Sequence, residues 1–382
     1  MTERRDIPFA RPWITDEDRA AVARVLGGHI LTHGPEGKAF EDEFARSLGP
    51  GAHCVSVSSC MAALHLASLA FGLGPGDEVI LPAMTHVAAA HAVEWVGATP
   101  VFVDCDLRTG NVTAGALEGA ITPRTKALSL VHYAGIPCDM HPIVALAERH
   151  GLRVIEDAAI ALGARIDGTH VGLIGDIGCF SFYPVKHITT GEGGMVASRH
   201  PEIAERIGRI RAFGVDRTHA ERSTPGLYDV PVLGLNYRMS EMQAALGRSQ
   251  LTRLDRILTV RANNFARLAG HLSRVRGVRV VDTDAPTRSN SHYVLTVVVE
   301  DAGIERNELI RKLNADGVGT SIYYPQPVPR MAFYREKYGY DGARFPNAAF
   351  ISDRSIALPI GPHIGRDELD YVAERFERAV AA

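Results

Sequence analysis

The chain has 382 residues, 46% of them hydrophobic and 22% charged, a balance typical of soluble globular proteins and enough chain for about two domains. A formal net charge of −3 without any long basic run weighs against nucleic acid and against an anionic membrane surface as partners. No uninterrupted apolar stretch approaches membrane-spanning length, and the opening MTERRDIPFARPW lacks the apolar core of a signal peptide, so a cytoplasmic protein is expected. The five cysteines (Cys54, Cys60, Cys105, Cys138 and Cys179) are scattered, with no CxxC pair and an odd total. That spacing argues against a disulfide framework or a zinc site and fits a reducing compartment.

From about Ala52 to Ser198, short apolar runs alternate with helical patterns. HCVSV (53–57) precedes SSCMAALHLASLAFG, and EVILP (78–82) precedes THVAAAHAVEWVG. TPVFVD (99–104), KALSLVH (126–132) and RVIED (153–157) follow, with MHPIVALAERHG between the last two. β-Branched runs separated by helices of this length predict βα units and a buried, mostly parallel sheet. Beyond Ser240 the texture changes. SEMQAALGRSQLTRLDRILTVRANNFARLAGHL puts Leu251, Leu254, Leu258, Phe265, Leu268 and Leu272 on one stripe and predicts a single long amphipathic helix. SHYVLTVVVE, a helix near ERNELIRKLNADG, SIALP and a last helix from Arg366 complete a smaller α/β unit. The expected division is a large domain over 1–250 and a small one over 251–382, joined by the long helix. In open α/β sheets ligands bind beyond the carboxyl ends of the strands.

Asp157 ends RVIED and is followed by the small residues AAIALGA. It reads either as a solvated strand end or helix cap, or as a carboxylate facing a cationic ligand group. In CFSFYPVKHITTGEGGMVA (179–197), alternation turns Ser181 and Tyr183 to one face and Phe182 to the other. Lys186 is then either a solvated cation at a loop edge, the usual state of lysine, or an amine held in a pocket. VSSCMAAL (57–64) reads as a strand entering a helix, whose free N–H groups and positive dipole end suit a phosphate as well as a simple cap. GEGG (191–194) lacks the spacing of a nucleotide loop and reads as a tight turn into the strand MVAS. Phosphate seat, strand-end acid and pocket lysine together are what a pyridoxal 5'-phosphate enzyme requires. Its aldehyde condenses with lysine, its ring nitrogen needs an acidic partner and its phosphate needs donors.

The chain resembles the DegT/DnrJ/EryC1/StrS family of sugar aminotransferases, which have the type I aminotransferase fold. The likeness runs through LTHGPEGKAFEDEFARSLG (31–49), VSSCMAALHLA (57–67), DEVILPAMTHVAAAHAVEWVGATPVFVD (77–104), VIEDAAIALGA (154–164), FSFYPVKHITTGEGGMV (180–196) and LNYRMSEMQAALG (235–247). The resemblance implies that Lys186 is the Schiff-base lysine, that Asp157 partners the pyridinium nitrogen, and that Ser181 binds phosphate. It implies that the backbone at Cys60 and Met61 also holds the phosphate, and that His86 occupies the position of a ring stacked on the cofactor. Asn236 matches an asparagine reaching the phosphate from the neighbouring subunit, which implies a homodimer with shared active sites.

Two departures stand out. Cys60-Met61 replaces a Gly-Thr pair, removing a hydroxyl but keeping the backbone donors. Ile160 stands where glutamine or histidine often approaches the cofactor's ring oxygen, and isoleucine cannot hydrogen-bond there. The implied reaction converts a keto group, at C4 by the texture of the lysine segment, of a nucleotide-linked deoxy sugar into an amine, with L-glutamate as donor. A dehydratase or other lyase on the same scaffold is the alternative, but those members carry histidine in place of lysine, and the adjacent His187 is expected to point elsewhere. A non-catalytic regulator or binding protein is the other alternative, and neither an added DNA-binding domain nor a basic patch supports it.

Overall fold

His53–Val57 (β1), Glu78–Pro82 (β2), Thr99–Val103 (β3), Thr125–Val131 (β4) and Arg153–Asp157 (β5) are strands. Their successive buried residues enter two different apolar clusters: Ile80, Val154 and Phe180 one, Leu81, Ile155 and Cys179 the other. Alternation into two cores means a sheet covered on both faces, which is why its strands read as nearly continuous apolar runs. The structure, a computed structural model, describes residues 4–216, 224, 226–282 and 285–381.

Arg165–Ile166 (β6) and Thr169–His170 (β7) form a small hairpin, and Ile177–Ser181 (β8) and Gly194–Ser198 (β9) join the main sheet. Its seven strands run in the order β1-β9-β8-β5-β4-β2-β3. Strands β3, β2, β4, β5 and β8 are parallel, whereas β9 is antiparallel to both its neighbours. The carboxyl ends of β1, β2, β4, β5 and β8 therefore share one edge. The helices of this part are Asp16–Leu26 (α1), Pro35–Leu48 (α2), Cys60–Ala70 (α3), Val87–Trp95 (α4), Ala114–Glu118 (α5), Met140–His150 (α6), Pro201–Ile210 (α7) and Glu241–Leu251 (α8).

Leu254–Leu272 (α9) does not continue α8. Arg253, between them, has φ −108° and ψ 6°. Its guanidinium reaches back to Asp18 at 2.7 Å and to the Trp13 carbonyl at 3.2 Å, contacts that a straight helix does not provide. The break also turns the apolar face. Ile257 and Arg261 are buried together with Leu254, Phe265, Leu268 and Leu272, while Leu251 and Leu258 are only half-buried. One predicted helix is thus two, broken at the residue whose guanidinium binds the buried Asp18.

Val278–Val280 (β10), Leu295–Val299 (β12) and Ser355–Leu358 (β13) make an antiparallel sheet in the order β10-β12-β13, and Arg288–Ser289 (β11) pairs with β6. Arg306–Ala315 (α10), Ala332–Tyr338 (α11), Pro346–Arg354 (α12) and Arg366–Ala381 (α13) complete the chain. Ile7 pairs with Val318 and is buried in the same apolar cluster as β12, β13 and α13.

Candidate active site

The lysine loop leaves β8 through Phe182, which is fully buried and packs its ring 5.2 Å from Phe40 and 5.4 Å from Phe44. A buried aromatic of this kind contributes about 1.5–3 kcal/mol, so Phe182 anchors the loop. Ser181 and Tyr183 face the other way, half-buried and exposed respectively, as alternation predicts. The loop is closed by Thr190 N–H to the Phe182 carbonyl (3.0 Å) and Phe182 N–H to the Gly193 carbonyl (2.9 Å). Gly193 and Gly194 are close-approach positions. A Cβ at Gly194 would lie 2.5 Å from the Ser59 carbonyl carbon and 2.8 Å from Cys60 N. GEGG is therefore a structural turn that lets β9 pass directly under the start of α3.

Across that turn the groups converge. Asp157, at the carboxyl end of β5, is 3% exposed. Its Oδ1 accepts the Ala159 N–H at 3.0 Å and faces the donating Cys60 thiol at 3.9 Å. Burial raises the carboxyl above its ordinary range, against the Ala159 N–H, Lys186 and His86, which pull it down. The Cys60 thiol is driven well above its usual value by burial and by the Asp157 charge, so it stays protonated and serves as a donor. Here the Cys60 departure has a physical account: a side chain new to that position supports the carboxylate. Met61 follows on the same turn, half-buried. Ser59 caps α3 by accepting the Ala62 N–H at 3.1 Å. The Cys60 and Met61 N–H groups, the first two of the helix, have no acceptor among the described residues.

Lys186 is half-buried, with Nζ 4.8 Å from the centre of the Tyr293 ring. Burial pushes the amine below its ordinary value, opposed by Tyr323, Cys60, Asp157 and Tyr183. His187 turns into the protein, is 5% exposed, and its Nε2 donates to the Ser291 carbonyl at 3.0 Å. It points elsewhere, as expected. His86 precedes α4 and is exposed. Its Nδ1 accepts the Ala88 N–H at 3.2 Å, and its ring lies 6.1 Å from that of Tyr324.

Asn236 and Ile160 complete the set of residues expected from the sequence. Asn236 is exposed; its backbone pairs with Ala212, and its side chain has no hydrogen-bond partner among the described residues. The next residue ties the segment to the β1–α3 turn, the Tyr237 carbonyl accepting the Ser58 N–H at 2.8 Å. Ile160 is 1% exposed, in an apolar cluster with Tyr133, Ile136 and Tyr293, and its carbonyl accepts the Ser291 hydroxyl at 2.7 Å. Burying an unpaired amide there costs roughly 1–3 kcal/mol. We therefore expect Ile160→Gln to lower the melting temperature and leave the visible spectrum of the cofactor-loaded protein unchanged. A spectral shift at unchanged melting temperature would instead put Ile160 against the cofactor.

Sequence reasoning missed Tyr293, Tyr323 and Arg261. Tyr293 and Tyr323 share a hydroxyl–hydroxyl hydrogen bond of 3.0 Å beside Lys186. Only Arg261 had left a trace, as a cation falling on the apolar row of a helix.

The donor set fits pyridoxal phosphate by its chemistry. It offers a lysine amine whose pKa burial lowers, a buried carboxylate with Oδ2 unengaged among the described residues, two N–H groups without an acceptor among them, a serine hydroxyl and an exposed imidazole.

Comparison with known proteins gives the family and the fold. The profile of the DegT/DnrJ/EryC1/StrS aminotransferase family matches residues 12–377. The spore coat polysaccharide biosynthesis protein SpsC of Bacillus subtilis is 39% identical over 381 residues, spanning 98% of this chain and 97% of that protein. Spr1654 of Streptococcus pneumoniae, solved in both PLP and PMP forms, is 28% identical. In its PMP form it has a TM-score of 0.92, with 98% of this chain and 99% of that one covered. DesI, solved in the presence of its TDP-sugar product, is 32% identical with a TM-score of 0.88, covering 99% and 93%. The fold is that of a type I pyridoxal-phosphate aminotransferase. The chain belongs to the DegT/DnrJ/EryC1/StrS aminotransferase family and is a pyridoxal-phosphate-dependent sugar aminotransferase.

Proposed function

We propose that this enzyme aminates a keto group of a nucleotide-linked deoxy sugar, at C4, with L-glutamate as the amino donor. The observation that carries the reading is the convergence of Lys186, Asp157 and the start of α3 at one sheet edge. The TDP-sugar product of DesI supports the nucleotide linkage by relationship. Bound pyridoxal phosphate supplies an aldehyde for the amine and a ring that draws electrons from the substrate carbon. In this reading Lys186 holds the cofactor and, once displaced by the donor, moves a proton at the substrate carbon. Asp157 would partner the ring nitrogen and keep it protonated, since a nearby opposite charge favours the cation. The Cys60 and Met61 N–H groups and the Ser181 hydroxyl would hold the phosphate, and His86 would supply a ring against the cofactor. The expected result of incubating the enzyme with glutamate and a panel of nucleotide-linked keto sugars is a product carrying nitrogen in place of the keto oxygen, read by mass spectrometry. Amination only of free sugars would overturn the nucleotide linkage, and a C3 amine would overturn the position.

The working unit in this reading is a cytoplasmic homodimer, each protomer divided at about residue 250, with Asn236 completing the neighbour's phosphate site. The exposure of Leu227, Tyr228, Val230, Val232 and Leu233 just before Asn236 supports a covered arm. Among the described residues no helix is long and apolar enough to cross a membrane. Mixing inactive Lys186→Ala with inactive Asn236→Ala chains should restore part of the activity, because one hybrid site is intact. Failure to recover after confirmed subunit exchange would mean that each protomer builds its own site.

A further inference from the structure

Arg261 lies on α9 and is 6% exposed. A buried guanidinium ordinarily has a carboxylate, because an uncompensated charge is costly to desolvate. Among the described residues Arg261 has none. Its Nη1 donates to the Tyr293 carbonyl at 2.8 Å, and its Nε has no partner. Its carbon Cζ is 5.9 Å from the centre of the Tyr293 ring, the same ring that Lys186 Nζ approaches to 4.8 Å. The two cations therefore lie within about 11 Å of each other, with an aromatic ring rather than an acid beside both.

The placement follows from the sequence of α9. Leu254, Ile257, Arg261, Phe265, Leu268 and Leu272 are its buried row, so a charge occupies a position where an apolar side chain would pack without cost. The nearby imidazoles do not neutralise it. His187 donates Nε2 to Ser291, and His363 has Nε2 on the Pro8 carbonyl at 2.9 Å, so neither supplies negative charge.

We propose that Arg261 is a positioning residue for the Lys186 amine. It fixes Tyr293 as the platform on which Nζ rests, and its charge disfavours the ammonium form, so that Lys186 is available as a nucleophile. The inference rests on the reading of Lys186 as the cofactor lysine. The groups facing Lys186 divide by sign. Asp157 from β5 and the Tyr293 ring face favour the ammonium, and the Cys60 thiol from α3, Tyr183 from the loop and Tyr323 also face it. Burial and the positive charge of Arg261 oppose them, and His86 adds no negative charge. A unit charge about 10 Å away at an effective dielectric near 20 moves a titration midpoint by about one pH unit.

The test is trace labelling of the cofactor-free full-length protein with acetic anhydride across pH, with the Lys186 peptide quantified by mass spectrometry. Arg261→Gln keeps a donor for the Tyr293 carbonyl and removes the charge, so the Lys186 midpoint should rise by about one unit. Arg261→Lys keeps the charge and should stay near wild type. A wild-type midpoint in Arg261→Gln overturns the proposal. Equal shifts in both variants also overturn it, because charge is then not the cause. If Arg261→Gln does not fold, Arg261→Met, apolar and similar in length, carries the same expectation and the same refutation. Failure of the Lys186 reading itself shows separately, as borohydride fixing cofactor on a different lysine.

Discussion

Lys186→Ala is expected to abolish turnover while leaving a folded protein that still takes up cofactor weakly. The contacts that fold the loop do not pass through the amine. Phe182 is buried against Phe40 and Phe44, Thr190 and Gly193 close the loop through backbone hydrogen bonds, and His187 is held by Ser291. Among the described residues the Lys186 side chain lends a ring contact to Tyr293 and no hydrogen bond. Removing it therefore costs little stability, and the donors at Cys60, Met61 and Ser181 remain for the phosphate. What disappears, on the proposed reading, is the group that holds the aldehyde and moves the proton, a transfer that a general base typically accelerates by about 10²–10⁴-fold. The check is twofold. Treating the wild-type protein with borohydride should fix cofactor on the peptide containing Lys186, and the variant should show no fixation and unchanged thermal melting. Residual turnover near wild type, or fixation at another lysine, would refute the assignment.

Much of this was legible in the chain because the signals are local. RVIED and HCVSV are strands over the expected residues, since short β-branched runs bounded by turn residues are a local strand signal. GEGG reads as a turn because glycines clustered just before a strand answer a backbone need, and the close approach of Gly194 to Ser59 is that need. The break at Thr252–Arg253 was not legible. No proline or glycine marks it, and its cause, Asp18, lies more than two hundred residues away in sequence. The tyrosines beside Lys186 were hidden for the same reason. Tyr293 and Tyr323 come from the other end of the chain, and nothing in SHYVL or SIYYP announces a catalytic neighbour. Cys60 is an intermediate case. Its departure from the family pattern was visible, but its contact with Asp157 depends on β5 and α3 meeting across the sheet edge.

Asp157→Asn should give opposite results in stability and in activity. Asparagine keeps the acceptor that meets the Ala159 N–H and the Cys60 thiol, so the strand end retains its local geometry. What it removes is a buried negative charge. The carboxyl of Asp157 is raised above its ordinary value by burial, so between its unfolded and folded values the folded chain binds more protons than the unfolded one. Stability attributable to this group is then present below the unfolded value and is lost as pH rises through the folded one. At neutral pH the cofactor-free Asn variant should therefore melt at or above the wild-type temperature. Function moves the other way. With the amide in its place the ring nitrogen has no counter-charge to keep its proton, and turnover should fall at least tenfold, about 1.4 kcal/mol of barrier. Calorimetry of the cofactor-free protein and steady-state rates of the loaded enzyme read the two effects independently. A wild-type rate would make Asp157 a structural strand end. A large fall in both stability and rate would mean that the carboxylate's charge holds the fold of this edge and not the chemistry.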